Sequence, residues 1–247
     1  MLLPGGSMRE FFRSRFFVQM AGVMTFVAAI SACATPSFDK SDPGHISGRL
    51  MVFWVGEDKF IYYPYYEDAL TYTLPKAMAD KLGPRSIRPG AIYTDGGSIP
   101  RPVRGVVGFS PWGYGPAYIV HDWLFVAHRC ILTDQVHLLD KRDHDEVKTV
   151  GKVDFAMSAD MLASVIAALI KQDMVPPRSL APSAIYTAVD SFVARRLWNS
   201  RDPKGCRAVE KEHIEKIEAS LRQKRVRGLE AMPVDSGPPF LIYQQDF

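Results

Sequence analysis

Two short segments and one residue of this chain carry polar groups of the kind that do chemistry. The first is Thr94-Asp95-Gly96-Gly97-Ser98-Ile99-Pro100-Arg101, the second is Ala117-Tyr118-Ile119-Val120-His121-Asp122-Trp123-Leu124-Phe125, and the residue is Asp160, between Met157 and Met161. Asp95, His121 and Asp160, with Asp122 beside them, form a mixed carboxylate–imidazole set that suits a divalent metal activating water. The same groups without a metal would serve as general acid and base, with His121 or Asp122 moving the proton. A third reading makes Ser98 a nucleophile with His121 as its base, although Ser98 precedes Ile-Pro and lacks the strand-to-helix elbow of the usual serine hydrolases. Each residue also has a structural reading. Asp95 can cap the Gly-Gly-Ser turn through its carboxylate, and the whole set can be a buried polar network that ties a loop to two helices.

The elements that must position these groups follow from the pattern of side chains. Ile46–Val55 and Lys59–Tyr63, rich in β-branched and aromatic residues around Gly56-Glu57-Asp58, predict a hairpin. Leu70–Leu74 and the two halves of Arg85–Tyr93 are further short strands, the last delivering Thr94 and Asp95 to a glycine-rich loop. Pro116 opens a helix over Ala117–His128. Neighbouring positions on it diverge by about 100°, so His121 and Asp122 face different ways: one toward the loop bearing Asp95, the other toward a neighbouring helix. Phe155–Ile170 is strongly helical and ends before Pro176-Pro177. On that helix a carboxylate at Asp160 would need a partner, from His121, Arg101 or a metal. Ala184–Trp198 reads as a third amphipathic helix with Ile185, Val189, Phe192 and Leu197 inward, and Ala208–Arg225 as a fourth, on the surface, with a narrow seam of Ile214, Ile217 and Leu221. A loose tail is expected from Gly228. Strands first and helices after them predict an α+β fold, a small N-terminal antiparallel sheet followed by three or four packed helices.

The segment 133–154 looks like a solvated, charged insert. Its His137, Asp140, Asp143, His144 and Asp145 could collect a metal, but mixed charges without fixed spacing are ordinary surface.

These motifs, in this order, resemble a family of bacterial and phage proteins known only as domain of unknown function 1353. The likeness rests on a T-D-x-x-S-I-P segment, an H-D-x-L-[FY] helix, an A-D helix at Ala159-Asp160 and an aromatic-x-A-V segment at Tyr186–Val189, over about Gly48 to Trp198. The charged insert and the segment after Asn199 are additions to the pattern. The resemblance implies a fold and a candidate site but no reaction.

The first residues read as an address. A basic head from Met8 to Arg15, a better start than Met1, precedes an apolar run from Phe16 to Ile30 that is shorter than the about 20 residues of a membrane span. Ile30-Ser31-Ala32-Cys33 then resembles a lipobox, with cleavage before Cys33 and diacylglycerol on its thiol. The expected organisation is a signal peptide over 1–32, a tether over 33–45, the domain over 46–200, and a C-terminal helix and tail over 201–247. This makes the membrane, through the lipid on Cys33, the first partner, with the protein on the periplasmic face, and Ala34 after the cysteine favouring the outer membrane. An envelope polymer or another envelope protein would be the second. The hypotheses are a hydrolase acting on such a polymer and a non-catalytic binding or phage-exclusion lipoprotein.

The bulk composition is compatible with both. Hydrophobic residues make up 47% and charged residues 23% of the 247, as in a globular protein. The whole-chain charge is +3, most of it in the leader, so the large basic excess of a nucleic-acid binder is lacking. The basic stretch Lys204–Arg227 would suit either anionic lipid or a salt-bridged helix. Export would leave Cys130 and Cys206 in an oxidising compartment, where a disulfide between them is expected to compete with two free thiols.

Overall fold

The computed structural model describes residues 43–56, 59–83, 85–95, 113–175, 185–186, 189–227 and 240–247. The expected signal peptide, Cys33 and most of the tether fall outside the described residues, as do Ser98 and Arg101. The described residues fall in one compact unit.

The order begins with β1 (His45–Ser47), β2 (Arg49–Gly56), β3 (Lys59–Tyr62), β4 (Thr71–Thr73), helix α1 (Lys76–Leu82), β5 (Ser86–Ile87) and β6 (Ile92–Thr94). Helices α2 (Gly115–Leu132), α3 (His144–Val150), α4 (Phe155–Lys171), α5 (Phe192–Trp198) and α6 (Lys211–Arg227) follow, and β7 (Phe240–Asp246) closes the order. The fold is α+β. Its strands make a three-stranded sheet, β1-β4-β5, and a four-stranded sheet, β6-β3-β2-β7, with antiparallel pairing throughout.

Strand β2 explains the layering. Its side chains alternate, and both faces are buried: Leu50 and Val52 enter the main core with α2 and α4, while Met51 and Phe53 enter a second cluster that contains Ile217 of α6. Tyr62 and Ile61 of the facing strand divide between the two cores in the same way. The four-stranded sheet is therefore covered on both sides. Helix α2 is the centre of the main core, with Ile119, Val120, Trp123, Leu124 and Ala127 buried and Pro116 in its first turn. Helix α4 starts at Asp154, whose side chain accepts from the Met157 amide, and its far end is fixed to β1 by Gln172. The Gln172 side chain accepts from the Ile46 amide and donates to the Ile46 carbonyl, both at 2.9 Å, satisfying a backbone edge that no strand covers.

Three expectations are corrected. The segment 133–154 is not a solvated excursion. It folds into short helical turns and α3, which bury Leu139, Val147, Val150 and Val153 in the main core. Val147 and Val150 share one face of α3, and that spacing outweighs the charges on the other face. The helix expected over Ala184–Trp198 is broken at Asp190-Ser191, where the Ser191 hydroxyl accepts from the Ala194 amide and starts α5 anew. Phe192 and Leu197 then lie outward, 79% and 48% exposed, and Trp198 is the inward residue. Finally, the tail expected after Gly228 carries β7, which pairs with β2 from Arg49↔Asp246 to Trp54↔Phe240. The segment 201–247 thus completes the sheet.

Candidate functional site

Strand β6 ends at Thr94 and passes directly to Asp95, which is exposed. Helix α2 packs beside that strand end and presents Asp122 to it. The Thr94 hydroxyl donates to Asp122 Oδ2 at 3.2 Å. The Asp122 carboxyl is pushed up to about 7, first by burial and then by the like charge of Asp95; the Thr94 hydroxyl and the Arg207 guanidinium act in the opposite direction. A carboxyl of this kind holds or releases a proton near neutrality, which is what a general acid or base must do.

Arg207 reaches the site through a covalent link. Cys130, on α2, and Cys206 form a disulfide with an S–S distance of 2.10 Å, which holds the start of the C-terminal segment against the end of α2. Gly205 lies against the Arg129 guanidinium so closely that a Cβ would collide with it. Arg207 was not singled out from the sequence. The signal was available, because it directly follows the cysteine expected to pair with Cys130.

His121 turns the other way. Its ring lies 4.7 Å from Phe125, Phe125 meets Trp198 at 4.9 Å, and His128 stacks on Trp198 at 3.9 Å. His121 Nε2 is buried with no hydrogen-bond partner among the described residues, and burial alone pushes the imidazole down to about 4. The ring is thus neutral at neutral pH and sits in an aromatic cluster, away from Asp122.

Asp160 is not the buried carboxylate that the sequence suggested. It is exposed, on the stripe of α4 that also holds exposed Ala156 one turn earlier, while Met161, Leu162 and Val165 turn inward. Its carboxyl is raised by partial burial and by Asp190, with Lys81 opposing. Asp95, His121 and Asp160 therefore do not converge. Among the described residues no group of three or more His, Cys, Asp or Glu side chains lies close enough to hold a metal ion.

The residues of the former insert are distributed in a similar way. Asp140 caps a short helical turn and forks onto Arg142, Asp145 pairs with Lys148 at 2.7 Å, and His144 Nε2 lies 3.2 Å from the Leu139 carbonyl. Asp143 alone is buried, at 6% exposure. It and Glu146, which the sequence reading passed over, line a cavity together with Tyr66, Arg85 and Arg88.

No known protein family, curated protein or solved structure matches this chain.

Proposed function

We propose that this is an exported, lipid-anchored envelope protein whose domain transfers protons through Asp122, with Asp95 as its coupled partner, in the hydrolysis of an envelope polymer. The observation that carries the catalytic half is the Thr94–Asp122 hydrogen bond beside Asp95: a carboxyl titrating near 7 at a strand end, next to an exposed second carboxyl. Asp122 in its protonated form is the general acid, and Asp95 orients or activates water. Ser98, His121 and Asp160 have no part in this reading, which needs no metal ligand. The anchoring half is supported by the apolar leader before Cys33 and by the Cys130–Cys206 disulfide, a bond that persists in oxidising compartments. No single described helix is long and apolar enough to cross a membrane, so in this reading the lipid on Cys33 is the attachment. The motif order supports kinship with the phage-associated family.

The alternative, a non-catalytic binding or phage-exclusion lipoprotein, is favoured by one observation. His121 is closed into aromatic packing with Phe125, as a structural residue would be.

The test is release of soluble fragments from purified peptidoglycan sacculi across a pH series. The wild-type rate should fall as pH rises above about 7, because the acid loses its proton. Asp122→Asn should lower the rate by about 100-fold or more. Thr94→Val should move the alkaline limb upward, since it removes a donor that favours the charged carboxylate. An Asp122→Asn protein as active as wild type, or no release at any pH, would reject the catalytic half. The anchor is checked separately by intact mass of the membrane-extracted protein, which should show a chain beginning at acylated Cys33.

A further inference from the structure

A cavity of about 330 Å³ opens between the chain at Pro64–Tyr66, the segment Arg85–Pro89 and helix α3. Its inner wall is acidic. Asp143 accepts from the Tyr66 hydroxyl at 3.2 Å and from the Ala91 amide at 3.3 Å. Glu146 Oε1 is sealed from solvent and has no hydrogen-bond partner among the described residues. The Arg142 guanidinium, which acts on Asp143, is already engaged. It bonds Asp140 at 3.0 and 2.6 Å and Glu218 at 2.8 Å, and lies 4.0 Å over the Tyr66 ring. The outer rim is basic. Arg85 and Arg88 are exposed on the lining and form no ion pair among the described residues.

An unsatisfied carboxyl oxygen inside and two exposed guanidinium groups outside, that of Arg88 also acting on Glu146 through its charge, make a site with two ends of opposite sign. We propose that this cavity binds a small zwitterion, a free amino acid or a short peptide, with its ammonium group against Glu146 and Asp143 and its carboxylate against Arg85 and Arg88. The ammonium supplies a donor that Glu146 Oε1 lacks, and the guanidinium fork suits a carboxylate. The volume lies at the small end of ligand cavities, which fits an amino acid or dipeptide better than a polymer. This site depends neither on lipidation nor on Asp122.

The proposal has a proton signature. Burial raises the Asp143 carboxyl to about 6, with Asp140 adding to it and Arg142 and the Tyr66 hydroxyl opposing. It raises Glu146 to about 7, with Asp143 adding and Arg88 opposing; Tyr62 is also near Asp143. The empty cavity therefore holds a proton near neutrality. An arriving ammonium favours the ionised carboxylate, so the carboxyl O–H gives its proton to the buffer as the ion pair forms.

The experiment is titration calorimetry of the purified protein at pH 6.5 in two buffers of different ionisation heat. The probes are alanine, alanyl-alanine, ethylamine and propionate. Alanine or alanyl-alanine should bind with net proton release, and ethylamine and propionate about tenfold or more weaker, a gap of about 1.4 kcal/mol. Glu146→Gln should cut the proton release to the smaller share that Asp143 supplies. Arg85→Ala, on the exposed rim where the fold is not at stake, should weaken binding about tenfold while leaving the release intact. The proposal is overturned if neither zwitterion binds by about 10 mM, beyond the millimolar end of small-ligand affinity. Ethylamine or propionate binding as well as alanine, or proton release undiminished by Glu146→Gln, would also overturn it.

Discussion

Asp122 and His121 are adjacent in sequence, yet their environments push their proton affinities in opposite directions. Burial beside another carboxylate raises the acid, and burial among rings depresses the base. For His121 this has a consequence for stability. The folded imidazole resists protonation until about pH 4, whereas the unfolded one takes a proton near 6.5. The stability that His121 contributes is therefore present above pH 6.5 and is lost as pH falls from 6.5 toward 4. His121→Phe should keep the aromatic contact and remove this acid sensitivity. Urea unfolding should find the variant equal to wild type at pH 7.5 and more stable by about 1–2 kcal/mol at pH 5. A constant difference at the two pH values would mean that the imidazole does not titrate on unfolding. Asp122→Asn tests the other sign. A raised carboxyl costs most when ionised, so the variant should be stabilised more at pH 8 than at pH 4. The gain should be about 1–2 kcal/mol, discounted from the full shift because the group is partly solvated. The divergence of His121 and Asp122 was legible in the sequence, because a helix separates neighbours by a fixed angle. The position of Asp160 was not, because Met157 and Met161 beside it suggested burial and the exposed stripe through Ala156 could be seen only once the packing of α4 was known.

At the scale of elements, the strand and helix starts were the most legible features. The hairpin of β2 and β3, the short strand at β4, Pro116 at the start of α2 and the body of α4 all follow from local pattern. Helix α3 did not. Its apolar seam is Val147 and Val150, two residues among many charges, and only the presence of α2 opposite them makes that seam decisive. The turn that leads into β6 shows how tightly α3's flank is fitted. A Cβ on Gly90 would collide with the Asp143 carboxylate and the Trp123 ring. Gly90→Ala should therefore cost about 1–3 kcal/mol in denaturant unfolding. Because it also displaces Asp143, the Tyr66 and Ala91 hydrogen bonds should go with it. A neutral result would mean that the insert can move away from the turn without loss.

For the whole molecule, the sequence suggested a domain complete near residue 200 with an appendage after it. The structure instead makes α6 and β7 the second cover and the outer strand of the larger sheet. That assignment could not be read locally, since the seam of α6 is narrow and β7 alternates weakly between apolar and polar residues. The partner of both is strand β2, near the other end of the described residues. Ile217 is fully buried between α6 and Met51, Phe53, Ile61 and Tyr63. Ile217→Ala should destabilise the entire domain by about 2–4 kcal/mol, with the sheet's tryptophan signal and the helical circular dichroism lost in one transition. Two separate transitions would instead mark α6 as an independent appendage.

The Arg49–Asp246 contact joins residues separated by 197 positions, and the Phe247 amide reaches back to the Gly48 carbonyl. Until the last strand arrives, the row Leu50-Met51-Val52-Phe53-Trp54-Val55 has an open flank of unpaired amides and carbonyls, and such a flank templates pairing between molecules. Newly made chains are thus most vulnerable to clumping in the interval before Phe240–Asp246 docks, and a chaperone that shields this flank would protect them at that stage.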